Sequence, residues 1–78
     1  MKYHENDVVQ SKNEIQVIDH STFETATIEP NTPGVVVRTV EKTIAGKPYE
    51  GVGVKFENVN EVVFLFADNI ETKLEPLA

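Results

Sequence analysis

Two prolines, an asparagine and a glycine fall within the seven residues Ile28-Glu29-Pro30-Asn31-Thr32-Pro33-Gly34, and three valines follow at once. Proline fixes φ, while Asn and Gly tolerate positive φ, so the chain turns here and no helix passes through. The β-branched residues that follow make the next segment a strand. The same alternation of punctuation and short apolar run returns at Ala45-Gly46-Lys47-Pro48 and at Asn58-Val59-Asn60. It predicts an all-β fold.

Asp7-Val8-Val9-Gln10 reads as a first strand. From Ser11 to Thr27 the chain makes a long polar excursion, in which Ile15-Gln16-Val17 alternates and Thr22 to Thr27 is rich in strand formers, so two weakly paired arms are expected. Strand alternation over Val35 to Glu41 sets Val35, Val37 and Thr39 on one face and Val36, Arg38 and Val40 on the other. The charge in the second set makes the first the expected core face. Ala45 to Pro48 is a hairpin tip, and in the strand from Tyr49 to Glu57 the residues Val52, Val54 and Phe56 oppose Tyr49, Gly51, Gly53 and Lys55. Two outward glycines permit strand coiling or the close approach of another backbone.

Glu61-Val62-Val63-Phe64-Leu65-Phe66 is the most apolar run. Val62, Phe64 and Phe66 share one side and Val63 and Leu65 the other, so both sides of this strand call for cover. Two readings of Ala67 to Leu74 stand: a tight turn followed by a strand over Glu71 to Leu74, or a short helix from Asp68 to Leu74 ended by Pro76.

Seventy-eight residues fit one domain, residues 1–78, with 1–5 and 75–78 as frayed ends. With no cysteine, the chain has no disulfide, thiolate metal site or cysteine nucleophile, which suits a reducing cytoplasm. Seven basic against thirteen acidic residues give a net charge of −6, which repels phosphate backbones and anionic bilayers. Neither nucleic acid nor membrane is therefore an expected partner. No apolar run has the length of a signal peptide core or a membrane span, and the chain reads as soluble and unprocessed.

The residues that could carry chemistry do not assemble into a motif. His4 and His20 lack a second histidine at metal-binding spacing, and Asp19, His20 and Glu24 would converge on a cation only if their loop folded back. His20 and Ser21 are adjacent and point apart in an extended chain, so they cannot pair as base and nucleophile. Ser11 has no evident partner. Gly51-Val52-Gly53 lies inside a strand and is followed by Lys55-Phe56, not by the start of a phosphate-binding helix. No enzyme activity, cofactor or metal is expected.

Gly34-Val35-Val36-Val37, Gly46-Lys47-Pro48, Val54-Lys55-Phe56-Glu57 and Asp68-Asn69-Ile70-Glu71, in this order, resemble the variable chain of ferredoxin-thioredoxin reductase and its relatives, among them the small stromal subunit of photosystem I. The resemblance covers residues 34–74. It implies a small SH3-like barrel of about five strands, with a long first loop and a short helical turn before the last strand, and a role as an electron-transfer accessory subunit. Peptide-binding SH3 domains are a poorer match, because their tyrosine-rich loop motif and paired tryptophans are missing.

The function expected from these features is a non-catalytic protein-binding module or small accessory subunit, engaging a protein partner or a second copy. Val36, Val40, Val63 and Leu65 on an outer sheet face and Phe23 in the polar loop are the expected contact residues. Either a partner or the 11–27 excursion covers that face. An acidic inhibitor or immunity-type protein that blocks a basic site is the alternative, from the −6 charge.

Overall fold

The computed structural model describes residues 2–77 and is all-β apart from one short helix. The strands are β1 (Val8–Ser11), β2 (Ile15–Ile18), β3 (Thr25–Ile28), β4 (Pro33–Ile44), β5 (Lys47–Phe56), β6 (Val63–Phe66) and β7 (Leu74–Pro76), with α1 (Asp68–Lys73) before the last. An antiparallel sheet runs in the order β6-β5-β4-β1-β7, and β2 pairs with β3 in a separate two-stranded sheet.

The turns are set by residues that accept positive φ. Asn31 (φ 68°) enters β4 and Asn58 (φ 66°) leaves β5. Between the long strands Ile44 pairs with Lys47, leaving a two-residue connection of Ala45 (φ 52°) and Gly46 (φ 79°). Two successive positive φ values make the tight turn whose twist suits an antiparallel ribbon. Pro48 is therefore inside β5 and not at the tip. It lies beyond the reach of β6, which pairs only with Gly51 to Val54, so its missing N–H breaks no ladder on that side.

One buried cluster holds the molecule together. Val9, Val36, Val52, Val54, Phe56, Val63, Leu65 and Leu74 come from the large sheet, Ile15 and Ile28 from the small one, and Ile70 from α1. Tyr3, in a segment expected to fray, is buried in the same cluster, and Pro76 pairs with Val9. Of the ends expected to fray, Met1 and Ala78 lie outside the described residues.

The 11–27 excursion is a paired hairpin, with Ile15 opposite Ile28 and Val17 opposite Ala26. It is anchored by Ser11, which is fully buried. The Ser11 hydroxyl donates to Glu29 O (2.7 Å) and accepts from Thr32 N–H (2.9 Å), while its backbone bonds Thr32 and Asn31. Ser11 is thus a clasp between β1 and the proline-rich turn. The segment after it caps α1: Lys12 N–H donates to Lys73 O, and the Asn13 amide donates to Thr72 O. Those carbonyls belong to the helix end, where no intrahelical donor remains. The helix runs over Asp68–Lys73 and β7 starts at Leu74, so the expected strand over Glu71 to Leu74 is replaced by helix for all but its last residue.

Candidate protein-binding face

β5 alternates as its sequence implies: Val52, Val54 and Phe56 are buried in the core, and Gly51 and Gly53 point the other way. Register then fixes β6. Val52 stands opposite Leu65 and Val54 opposite Val63, so Val63 and Leu65 face inward, while Gly51 meets Phe66 and Gly53 meets Phe64 on the outside. The expected assignment of Val63 and Leu65 to an outer contact surface is corrected by this pairing. Both are in the core, in one cluster with Ile15 and Ile28 of the small sheet.

The two phenylalanines occupy the space that the glycines leave. A Cβ on Gly51 would lie 2.7 Å from both Cδ1 and Cε1 of Phe66, and one on Gly53 would lie 3.0 Å from Cε1 of Phe64 and from Val62 Cγ1. The rings therefore rest directly on the β5 backbone, nearly parallel to each other (16°) with centroids 6.2 Å apart. They are still 43% (Phe64) and 53% (Phe66) exposed.

β4 carries a bulge that the sequence does not announce. Val36 pairs with Val54, yet the next register pair is Arg38 with Gly53, so Val37 is an extra residue. The inward position moves from Val36 to Thr39, a step of three in place of two. Strict alternation had put Val35, Val37 and Thr39 in the core; instead Val36 is completely buried, and Val35 and Val37 are about 40% exposed. Val36 is accordingly removed from the expected contact residues. Val40 keeps its outward place, half-buried opposite Gly51. Phe23 is 83% exposed with φ 60° in the β2–β3 connection and belongs to neither face of the large sheet.

The outer face of β4, β5 and β6 thus presents Val35, Val37, Val40, Val62, Phe64 and Phe66, extended along the projecting ribbon by Ile44 and Tyr49. Arg38, Lys42, Lys47 and Lys55 alternate with them. Four of the chain's seven basic residues point outward here, while the two acidic residues of these strands, Glu41 and Glu50, pair with each other on the opposite side. Lys55 Nζ donates to the carbonyls of Phe56 and Val59 and so belongs to the turn after β5. Among the described residues, the side chains of Arg38, Lys42 and Lys47 make no hydrogen bond or ion pair.

No protein-family model, curated protein or solved structure matches this chain.

A cleft of about 680 Å³ lies between β2 and β6, lined by Ile15, Val17, Val59, Val63 and Leu65 and by the polar residues Asp19, His20 and Glu61. Its polar groups are engaged in holding the loop. The His20 backbone N–H donates to Glu61 Oε1 (3.1 Å), and Asp19 Oδ1 accepts from the Ser21 hydroxyl (2.6 Å) and the Ser21 N–H (2.8 Å). Those two bonds hold the Asp19 carboxyl below the usual carboxylate range. Asp19, His20 and Glu24 do not converge: no group of three His, Cys, Asp or Glu fit to hold a metal occurs among the described residues. Ser11 is a backbone clasp and not a nucleophile. No helix among the described residues is long and apolar enough to cross a membrane.

Sequence reasoning missed Phe64, Phe66 and the cations beside them. A signal existed: Gly-x-Gly in one strand and Phe-x-Phe in the next share a period of two, and pairing each small residue with a large one fixes both the register and the outward side.

Proposed function

We propose that the chain is a non-catalytic protein-binding module, an accessory subunit that docks through the outer face of β4, β5 and β6. The observation that carries the reading is the row of Phe64 and Phe66, half-exposed on a glycine floor and continuous with Val35, Val37, Val40 and Val62. A contiguous apolar face of this kind marks an interaction site more often than a solvated surface. Rigid aromatic side chains held against backbone supply contact area at little entropic cost on binding.

In this reading the domain is an SH3-like barrel acting in the cytoplasm. Supporting it are the element order, with a long hairpin excursion after the first strand and one helical turn before the last, and the lack of cysteine. Ile15 and Ile28 of the small sheet share the core cluster with the inner side of the large one, so the outer face is the one left for a partner.

The test is Phe64→Glu, which places a charge on the outer face without touching the buried side of β6. The variant should keep the wild-type circular dichroism spectrum and lose the chains that the wild type retains in pull-downs from its native host. Retention of every one of those chains by a folded variant would place the contact elsewhere.

A further inference from the structure

We propose that the occupant of this face is an acidic, apolar-rich protein segment whose docked side alternates carboxylates with aliphatic or aromatic side chains; the inference rests on the face proposed above and adds the chemistry of its partner. Outward residues along β4 read Arg38, Val40, Lys42, Ile44, a strict alternation of cation and apolar group. In a strand, same-face neighbours are about 6.7 Å apart and the two cations about 13 Å. An extended segment laid on this row meets it with acid, apolar, acid, apolar at every second residue.

Charge complementarity selects that partner over others. The chain as a whole is acidic, yet the charged residues that β4 and β5 turn to the apolar face are all cations, three of them without a side-chain partner among the described residues. Unpaired cations between apolar groups repel a basic partner and a second copy of the same face, and they gain most from carboxylates. A nucleic acid strand would also find cations and aromatic rings here. It would have to approach against the field of a molecule of net charge −6 that is only 19 Å thick along its shortest axis, which a segment with a few carboxylates does not suffer to the same degree.

The experiment titrates the isotopically labelled full chain with three probes and follows backbone amides by NMR: a peptide repeating Glu-Thr-Leu-Thr, the same peptide with Gln for Glu, and an oligothymidine of matching length. The glutamate peptide should shift amides of β4, β5 and β6 saturably. The glutamine peptide should bind the same amides roughly three- to tenfold more weakly. Arg38→Gln combined with Lys42→Gln, both exposed and so compatible with folding, should remove the difference between the two peptides. Equal affinity of the two peptides for this face in the wild type would overturn the charge match while leaving the docking face intact. Saturation by oligothymidine without binding of the glutamate peptide would overturn the choice of a protein partner. Shifts confined to other parts of the chain would overturn the inference and the docking face together.

Discussion

Gly51→Ala tests whether Phe66 lies on the β5 backbone, because the predicted effect changes sign with the ring present or absent. Gly51 does not have positive φ, so alanine can adopt its backbone, and the nearest atom beyond the ring, Leu65 O at 3.7 Å, is at ordinary contact distance. The obstacle is the ring, at 2.7 Å from the new Cβ where carbon atoms prefer about 3.5–4.0 Å. A phenylalanine side chain offers on the order of 200 Å². With Phe66 53% exposed, roughly 100 Å² is covered, or about 2.5 kcal/mol as an upper bound. Lifting the ring by about an ångström uncovers a fraction of that, on the order of 1 kcal/mol. Against this stands the smaller unfolded-state entropy of alanine, about 0.4–1 kcal/mol in favour of folding. Gly51→Ala should therefore be neutral to mildly destabilising in the wild type and stabilising in a Phe66→Ala background. Urea unfolding of the four chains, followed by circular dichroism, gives the coupling energy, expected at about 1 kcal/mol. Additivity within about 0.3 kcal/mol would show that the ring does not rest on Gly51 and would remove the floor of the docking face.

Two further outcomes follow from the buried clasp and the buried phenol. Ser11→Ala removes the acceptor of Thr32 N–H and one of the two hydroxyl donors to Glu29 O, which keeps that of Thr32, beneath a fully buried side chain, and should cost about 1–3 kcal/mol in the same unfolding assay; a loss below about 0.5 kcal/mol would mean that the turn holds itself. Tyr3 has its pKa raised above 10.0, first by burial and then by the carboxylates of Glu71, Glu75 and Asp7. The unfolded chain releases this proton before the folded one does, so the contribution of Tyr3 to stability is complete below about pH 10 and falls as pH rises beyond it. Tyr3→Phe should flatten the alkaline limb of denaturation midpoint against pH, and parallel limbs in the two chains would refute the assignment.

How much of this was legible in the sequence depends on whether local chemistry or pairing decides the position. Turns were legible because Asn31, Gly46 and Asn58 adopt the positive φ that their residue types accept. The faces of β5 were legible because glycine and lysine alternate with valine and phenylalanine there. Val37 was not, since a bulge leaves no mark in a run of three valines, and the extra residue reversed which valine is buried. Nor was the side of β6, where Val63 and Leu65 compete with Phe64 and Phe66 on nearly equal terms. Size favours the phenylalanines for the core; the outcome turns on the partner strand, whose glycines give the two rings a floor outside while the smaller pair meets Val52 and Val54 inside.

The β2–β3 hairpin decides which face stays open. Its inward residues, Ile15 and Ile28, are spent on the side of the sheet that holds Val52, Val54 and Phe56, and the strands that bear them are too short to wrap both sides. The outer face is left with apolar groups and cations, and this mixture constrains what can associate with it. Two copies meeting through a symmetric interface would bring Arg38, Lys42 and Lys47 of each against the same residues of the other, so self-association is opposed by like charge across an otherwise adhesive surface. Replacing the cations with neutral residues would leave the apolar attraction and remove that opposition. In the proposed reading the same three side chains serve two ends: they oppose pairing of the exposed apolar sheet with itself, and they favour a partner that brings carboxylates.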